Sequence, residues 1–302
     1  MTHLFKQIVA LSFIIVLSGF GLSACDTDNT DESQGDTESE ASTDANNESL
    51  VRMVYIFRRL PELSLKEFRD HWRDVHAPLV LKHKETLGIH GYSQLHNAQP
   101  SANRLMQNLR GTIRCFDGVG EFTIERDKLE KARETVEGRK AMDELIEDER
   151  LFVDFSKSSI WLAKEHVIVR DRSYVPPVPA SKLTWVGSGL ESLTFEEFQD
   201  YYLNEHAPLV AGHAELLGIR DYVQSHTLND SLGEELRQLR GEMAAPYGIH
   251  AEFFWNLAGV VSPKGNKAMT EIQNDEKNFI DFSRSAIWTA EEHIFAAPND
   301  YD

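Results

Sequence analysis

The segment LSLKEFRDHWRDVHAPLVLKHKETLGIHGYSQLH, residues 63–96, aligns without a gap onto LTFEEFQDYYLNEHAPLVAGHAELLGIRDYVQSH, residues 193–226, with about half of the positions identical. The offset of 130 continues through Leu-Arg-Gly at 109–111 and 239–241. It then becomes 127, so that DFSKSSIWLAKEH (154–166) answers DFSRSAIWTAEEH (281–293). A duplication on this scale constrains the fold more than any local propensity, because both copies must fold alike and bury their apolar faces somewhere. It divides the chain into repeats over 51–172 and 183–302. The connector over 173–182 contains SYVPPVPA, whose three prolines make it stiff and extended.

Within each copy the pattern reads the same way. MVYIFR at 53–58 and the apolar run at 183–186 are strand-forming. A capping box opens the next helix, Ser64 with Glu67 and Thr194 with Glu197. Pro78 and Pro208 are expected to break or kink that helix, which leaves His76 and His206 two residues before a bend. Gly88 and Gly218 suit the residue after a helix end. Strands follow at 89–96 and 219–226. In the first copy a helical insertion, a strand over 118–124, a helix over 128–148 and a strand over 159–169 complete the unit. The order β-α-β-β-α-β predicts an α+β chain of two ferredoxin-like, split βαβ repeats. Helices cover one face of each sheet, so the other faces must pack together or close a joint barrel.

The formal charge of −18 over 302 residues excludes the basic surface that a nucleic-acid binder needs. Half of it lies in residues 26–50, DTDNTDESQGDTESEASTDANNESL, which holds nine acidic residues and no basic one. Such a stretch reads as a solvated, self-repelling tether. Ahead of it, residues 1–24 read as a secretory signal, with Lys6 before the apolar run 8–21. That run is shorter than the roughly 20 residues of a membrane-spanning helix. LSAC at 22–25 resembles the bacterial lipobox, which implies diacylglycerol on the Cys25 thiol. The chain is then expected to be exported and lipid-anchored at the bacterial cell membrane, on the periplasmic side of the inner membrane if the cell is Gram-negative. Cys115 would be the remaining cysteine, so no disulfide forms within the mature chain.

His76 and His206 are the first candidates for chemistry, since imidazole is the usual proton-transfer group. The alternative is that each fills a hydrogen-bonding slot at the bend. Tyr92, Gln94 and His96 alternate along one strand face, as do Tyr222, Gln224 and His226. These rows either line a cavity and contact substrate or tie the structure together. His83 and His213 read as surface or packing residues. His166 and His293, beside Glu165 and Glu292, read as strand-end ion pairs, and Trp161, Trp288, Phe152 and Phe279 as core. There is no nucleophile elbow, phosphate loop, dinucleotide fingerprint or Cys-x-x-Cys pair. No pattern marks a metal site.

FRDHWRDVHAPLV, GYSQLH, FDGVGEF and EDERLFVDF, with their counterparts FQDYYLNEHAPLV, DYVQSH, YGIHAEF and NDEKNFIDF, resemble the EthD family of the dimeric α/β-barrel superfamily. The resemblance implies a tandem protein whose halves form within one chain the barrel that relatives form by dimerising, so no oligomer is required. It implies a small hydrophobic organic molecule as substrate or ligand, and a place in oxidative degradation, hence an oxidoreductase. His76 or His206 would act as acid/base, with Tyr92 and His96 positioning the molecule. Arg58 is a further binding candidate, replaced with its neighbour Arg59 by Ser188 and Gly189 in the second copy. The cofactor is unknown. Some members of the superfamily bind haem through a histidine, and no residue here is distinctive as its ligand. A non-catalytic ligand-binding lipoprotein and a structural pseudo-dimer are the other readings.

Overall fold

The computed structural model describes residues 50–97, 99–175, 180–255, 259–260 and 262–297. The signal segment, Cys25, the acidic tether up to residue 49 and Pro176 to Pro179 of the connector lie outside the described residues. Among those described, no helix is long and apolar enough to cross a membrane.

Among the described residues, eight strands carry the fold: β1 (Leu50–Phe57), β2 (Ile89–His96), β3 (Gly118–Glu125), β4 (Ser159–Arg170), β5 (Ala180–Gly187), β6 (Ile219–Thr227), β7 (Ile249–Trp255) and β8 (Ala286–Ala296). They close into one antiparallel barrel in the order β1-β3-β2-β8-β5-β7-β6-β4. Each repeat supplies a quartet, β4-β1-β3-β2 or β8-β5-β7-β6. The two seams, β2 with β8 and β4 with β6, pair strands of different repeats. Closure leaves no free sheet edge, which explains how two half-barrels with exposed edges can be stable as one chain. Strand β5 begins at Ala180, so it takes in the last residues assigned to the connector from sequence.

The helices cover the outside. In the first repeat they are α1 (Leu65–His71), α2 (Ala77–Leu87), α3 (Pro100–Arg110), α4 (Arg126–Glu134) and α5 (Val136–Glu149). In the second they are α6 (Phe195–Tyr201), α7 (Ala207–Gly212), α8 (Ala214–Leu217), α9 (Ser231–Gln238) and α10 (Pro263–Asp275). Both capping boxes form, and Gly88 and Gly218 take the left-handed conformation, at φ 67° and 64°, that ends a helix.

Of the break or kink expected at Pro78, the break does not occur. A π turn over Trp72–His76 joins α1 to α2 with right-handed backbone throughout, and Tyr202–His206 does the same in the second repeat. The Ala77 amide donates to the Trp72 carbonyl five residues back. Widening the turn accommodates a proline that has no N–H to give. The π turn also rotates the histidine onto the buried side of the helix. His76 and His206 therefore face inward rather than capping a broken end.

Alternation along the strands divides the side chains. Tyr55, Phe57, Tyr92 and Phe122 pack outward under the helices with Phe68, Trp72 and Phe152. Trp185, Tyr222 and Ile249 do so in the second repeat with Phe198 and Phe279. Val54, Ile56, Leu95, Val119, Trp161 and Trp288 form a separate cluster drawn mostly from strands of both repeats, which is the barrel lumen. The expected aromatic core is thus divided, with Trp161 and Trp288 inside the barrel and Phe152 and Phe279 outside it.

The remainder of the lumen is charged. Lys182 Nζ lies 2.8 Å from Glu252 and 2.6 Å from Glu292, and Arg52 lies 2.8 Å from Glu165 and 3.2 Å from Glu252. Glu121 and His250 approach to 3.4 Å, and His250 Nε2 bonds Thr184 on its other side.

Candidate active site

Each repeat holds a cavity between its helices and the outer face of its sheet. The cavity of the second repeat has a volume of about 270 Å³, and that of the first about 50 Å³. The histidines flagged by the duplicated His-Ala-Pro motif line them, His76 in the first and His206 in the second.

The imidazoles are held alike. His76 Nδ1 is 2.8 Å from Asp148 Oδ2, and His206 Nδ1 is 2.8 Å from Asp275 Oδ2. A carboxylate only accepts, so Nδ1 carries the proton and the lone pair rests on Nε2. The carboxylates are braced in turn. Asp148 Oδ1 is 2.9 Å from His71 Nε2, and Asp275 Oδ1 accepts from the Tyr201 hydroxyl at 2.7 Å. Burial pushes the Asp148 carboxyl up, but hydrogen bonds from His76 and His71 outweigh it and hold its pKa below the usual value. For Tyr201, burial and then the bond to Asp275 raise the phenol. An imidazole with a fixed tautomer and an oriented Nε2 is the standard arrangement for a general base.

The far wall of each cavity comes from the other repeat. Arg240, just beyond α9, reaches Glu149 of the first repeat with Nε at 2.6 Å and Nη2 at 2.8 Å. Arg110, at the end of α3, pairs with Glu276 of the second. Burial works against the Arg240 charge, yet Glu149 and Tyr55 together raise its pKa. Sequence reasoning missed these four residues. Leu-Arg-Gly was visible as a repeated tripeptide, and Asp-Glu at 148–149 and 275–276 recurs inside the matched motifs, but their pairing crosses from one repeat to the other.

The two polar rows are not among the residues that line either cavity. Gln94 Nε2 donates to the Trp72 carbonyl at 2.8 Å and to the Tyr92 hydroxyl at 2.6 Å, and Gln94 Oε1 meets His96 at 2.7 Å. Gln224, Tyr222 and His226 repeat the pattern around the Tyr202 carbonyl. The rows therefore satisfy the carbonyl at the start of each π turn and so fix the helix that carries the histidine. Tyr202, whose carbonyl accepts from Gln224, joins this network to the larger cavity. Arg58 lies elsewhere, its guanidinium on the carbonyls of Arg114 and Cys115 and 4.1 Å from the Phe116 ring centroid. His83 and His213 pair with Glu144 and Glu271. The expected strand-end pairs differ in detail. His293 bonds Glu291 while Glu292 turns into the lumen, and His166 packs on the His226 ring.

Glu121, Glu252 and Glu292 bring carboxylate oxygens within 4.8 Å of one another, the spacing of a metal site. Lys182 Nζ already lies between two of them and serves as their cation. Burial pushes Glu121 up to about 8, with Glu252 adding to the shift. Burial also lowers His250 and His226 to about 4 and His96 to about 2. Signs then set the pH response. Between pH 8 and 6.5 the folded chain binds a proton at Glu121 that the unfolded chain does not, so stability rises as pH falls. Below about 6.5 the unfolded histidines take up protons that the folded ones refuse. Each of the three then costs up to about 1.4 kcal/mol per pH unit and together they outweigh Glu121. Urea unfolding from pH 8.5 to 4.5 should therefore show maximal stability near pH 6.5. A monotonic rise with pH throughout would contradict the Glu121 assignment.

Comparison with known proteins bears on the same residues. The EthD domain matches twice, over residues 60–156 and 190–283, which together make up more than half of the chain and include both His–Asp pairs. The dehydratase aurZ of Gibberella zeae is 27% identical over 144 residues, 47% of this chain and 93% of that protein. Among solved structures, a mutant chlorite dismutase from Candidatus Nitrospira defluvii aligns at TM-score 0.41 and 10% identity, covering 80% of this chain and 92% of the other. A dye-decolorizing peroxidase from Bacteroides thetaiotaomicron aligns at 0.37 and 11%, with the same coverage. With two EthD domains in sequence, their strands closed into one barrel, the chain belongs to the EthD domain family.

Proposed function

We propose that this protein is a proton-transfer enzyme that removes a proton next to a carbonyl of a small apolar molecule and so promotes loss of water. The observation that carries this is His206, buried at the wall of the 270 Å³ cavity with Nδ1 clamped on Asp275. In the elimination, the C–H bond breaks toward His206 Nε2. Its electron pair moves onto the carbonyl oxygen and returns to form the C=C bond as the C–O bond at the next carbon breaks, and the departing oxygen leaves as water with the proton that His206 Nε2 gives back. No oxidant or reductant is consumed, so this reading departs from the oxidoreductase expected from the resemblance. The likeness to a protein named a dehydratase supports it. It takes each four-stranded half as a ferredoxin-like unit, with the first repeat retained as the partner that closes the barrel.

The test needs no knowledge of the natural substrate. 1-Tetralone, a bicyclic ketone, exchanges its α-protons in D2O, and NMR follows the loss of signal. The protein should accelerate exchange and His206→Gln should abolish the acceleration. Equal rates with and without protein would overturn the assignment.

The same reading places the enzyme at a membrane surface through lipidated Cys25, with residues 26–49 as the spacer. Cys25→Ser should move the protein from the membrane fraction to the soluble fraction. Retention in the membrane fraction would exclude that anchor.

A further inference from the structure

The two cavities have diverged at one carboxylate. In the first repeat Glu149 accepts three hydrogen bonds: Arg240 donates through both Nε and Nη2, and the Tyr55 hydroxyl donates at 3.1 Å. In the second repeat Trp185 occupies the place of Tyr55, so that hydroxyl is gone. Arg110 holds Glu276 through Nη2, while its buried Nε has no hydrogen-bond acceptor among the described residues. A buried donor without an acceptor is costly to leave unmade. The volumes differ in the same sense. A cavity of about 150 Å³ lined by apolar side chains binds benzene. The space of about 270 Å³ suits a bicyclic molecule, and that of about 50 Å³ admits no ring. Leu183, Val210, Leu217, Ile219 and Ile272 make the larger wall apolar.

We propose that the second-repeat cavity binds one neutral, largely apolar bicyclic ketone per chain, and that Arg110, contributed by the first repeat, holds its carbonyl oxygen. A neutral acceptor fits better than an anion, because Glu276 already balances the guanidinium charge. The first-repeat cavity, satisfied by its own hydrogen bonds, binds nothing. This deepens the function proposed above and rests on it for one step: when His206 takes the α-proton, the electron pair moves onto the oxygen, and Arg110 stabilises that enolate. The ketone-holding role itself is independent of turnover.

Calorimetric titration of the full-length protein separates the two claims. 1-Tetralone should bind at one molecule per chain. It should bind more tightly than tetralin, which has the same bicycle without the carbonyl, by roughly tenfold to a hundredfold, the worth of a hydrogen bond from a charged donor. Arg110→Met should erase that preference and leave tetralin binding intact. Arg110→Lys, which keeps the charge beside Glu276 but has no Nε donor, should also lose it, and serves if the methionine variant does not fold. 1-Naphthoate should gain nothing over tetralin. Equal affinity for ketone and hydrocarbon, two molecules per chain, tighter binding of the carboxylate, or a preference unchanged in the arginine variants would each overturn the proposal. Binding without any proton exchange in the parent protein would remove the base assignment and leave the ketone site standing.

Discussion

His206→Gln should slow catalysed α-proton exchange by about 10²–10⁴-fold, the usual contribution of a positioned general base, while His76→Gln leaves exchange as it was. Both histidines share the His-Ala-Pro motif, the π turn and the aspartate on Nδ1, so local sequence predicts equal effects. What separates them is access. His206 faces a space of about 270 Å³, whereas Met142, Leu145, Tyr55 and the Arg240–Glu149 pair line a space of about 50 Å³ around His76. Glutamine can still donate to Asp275, so the fold is kept and only the base is lost. Asp275→Asn tests the same idea from the other side. An amide facing Nδ1 makes the opposite tautomer competitive and places the proton on Nε2, where the lone pair is needed, so exchange should fall by a comparable factor. Loss of exchange in His76→Gln but not in His206→Gln would transfer the site to the first repeat.

Much of this architecture was legible because the chain was written twice. Any signal present at both Ser64 and Thr194, or both Gly88 and Gly218, was read against its copy, and the capping boxes and helix ends stand where they were expected. The π turn was not legible. Gln94 and Gln224 supply a second hydrogen bond to the carbonyls of Trp72 and Tyr202 at its start, a contact between elements that periodicity does not encode. Local rules for proline therefore predicted a break or kink, where the helix runs on through a wide turn. The cavity walls escaped notice for a related reason. Arg110 and Glu276 are far apart in sequence and belong to different copies, so aligning the copies with each other conceals the contact between them. One compensating pair also crosses strands. Phe57 faces Gly118 in the first repeat and Gly187 faces Ile249 in the second, so the large residue changes strand and the gap between sheet and helix is filled from the other side. A Cβ on Gly118 would lie 2.3 Å from the Trp72 ring, which shows how closely that pairing is fitted.

The charged lumen yields the largest expected change in stability. Lys182→Met keeps the length and the apolar stem of the side chain and removes its ammonium. Glu252 and Glu292 then face each other beside Glu121 without the cation that lay between them. Breaking a buried ion pair by removing one partner costs about 3–5 kcal/mol, because the remaining charge stays desolvated. Lowering the pH should shrink the deficit, since a carboxyl that has lost its cation takes up a proton more readily in the folded chain than in the unfolded one. Adding Glu252→Gln should restore part of the loss at neutral pH by the same reasoning. These changes lie inside the barrel while the His206 cavity lies outside it, so any of the variants that folds should retain ketone binding. Urea unfolding of the single and double variants at pH 7.5 and 5.5 measures all three effects. A cost below about 1 kcal/mol for Lys182→Met, the range of an exposed pair, would mean that Arg52, 3.2 Å from Glu252, or a further cation neutralises the barrel. The carboxylate cluster would then merit titration with divalent metals.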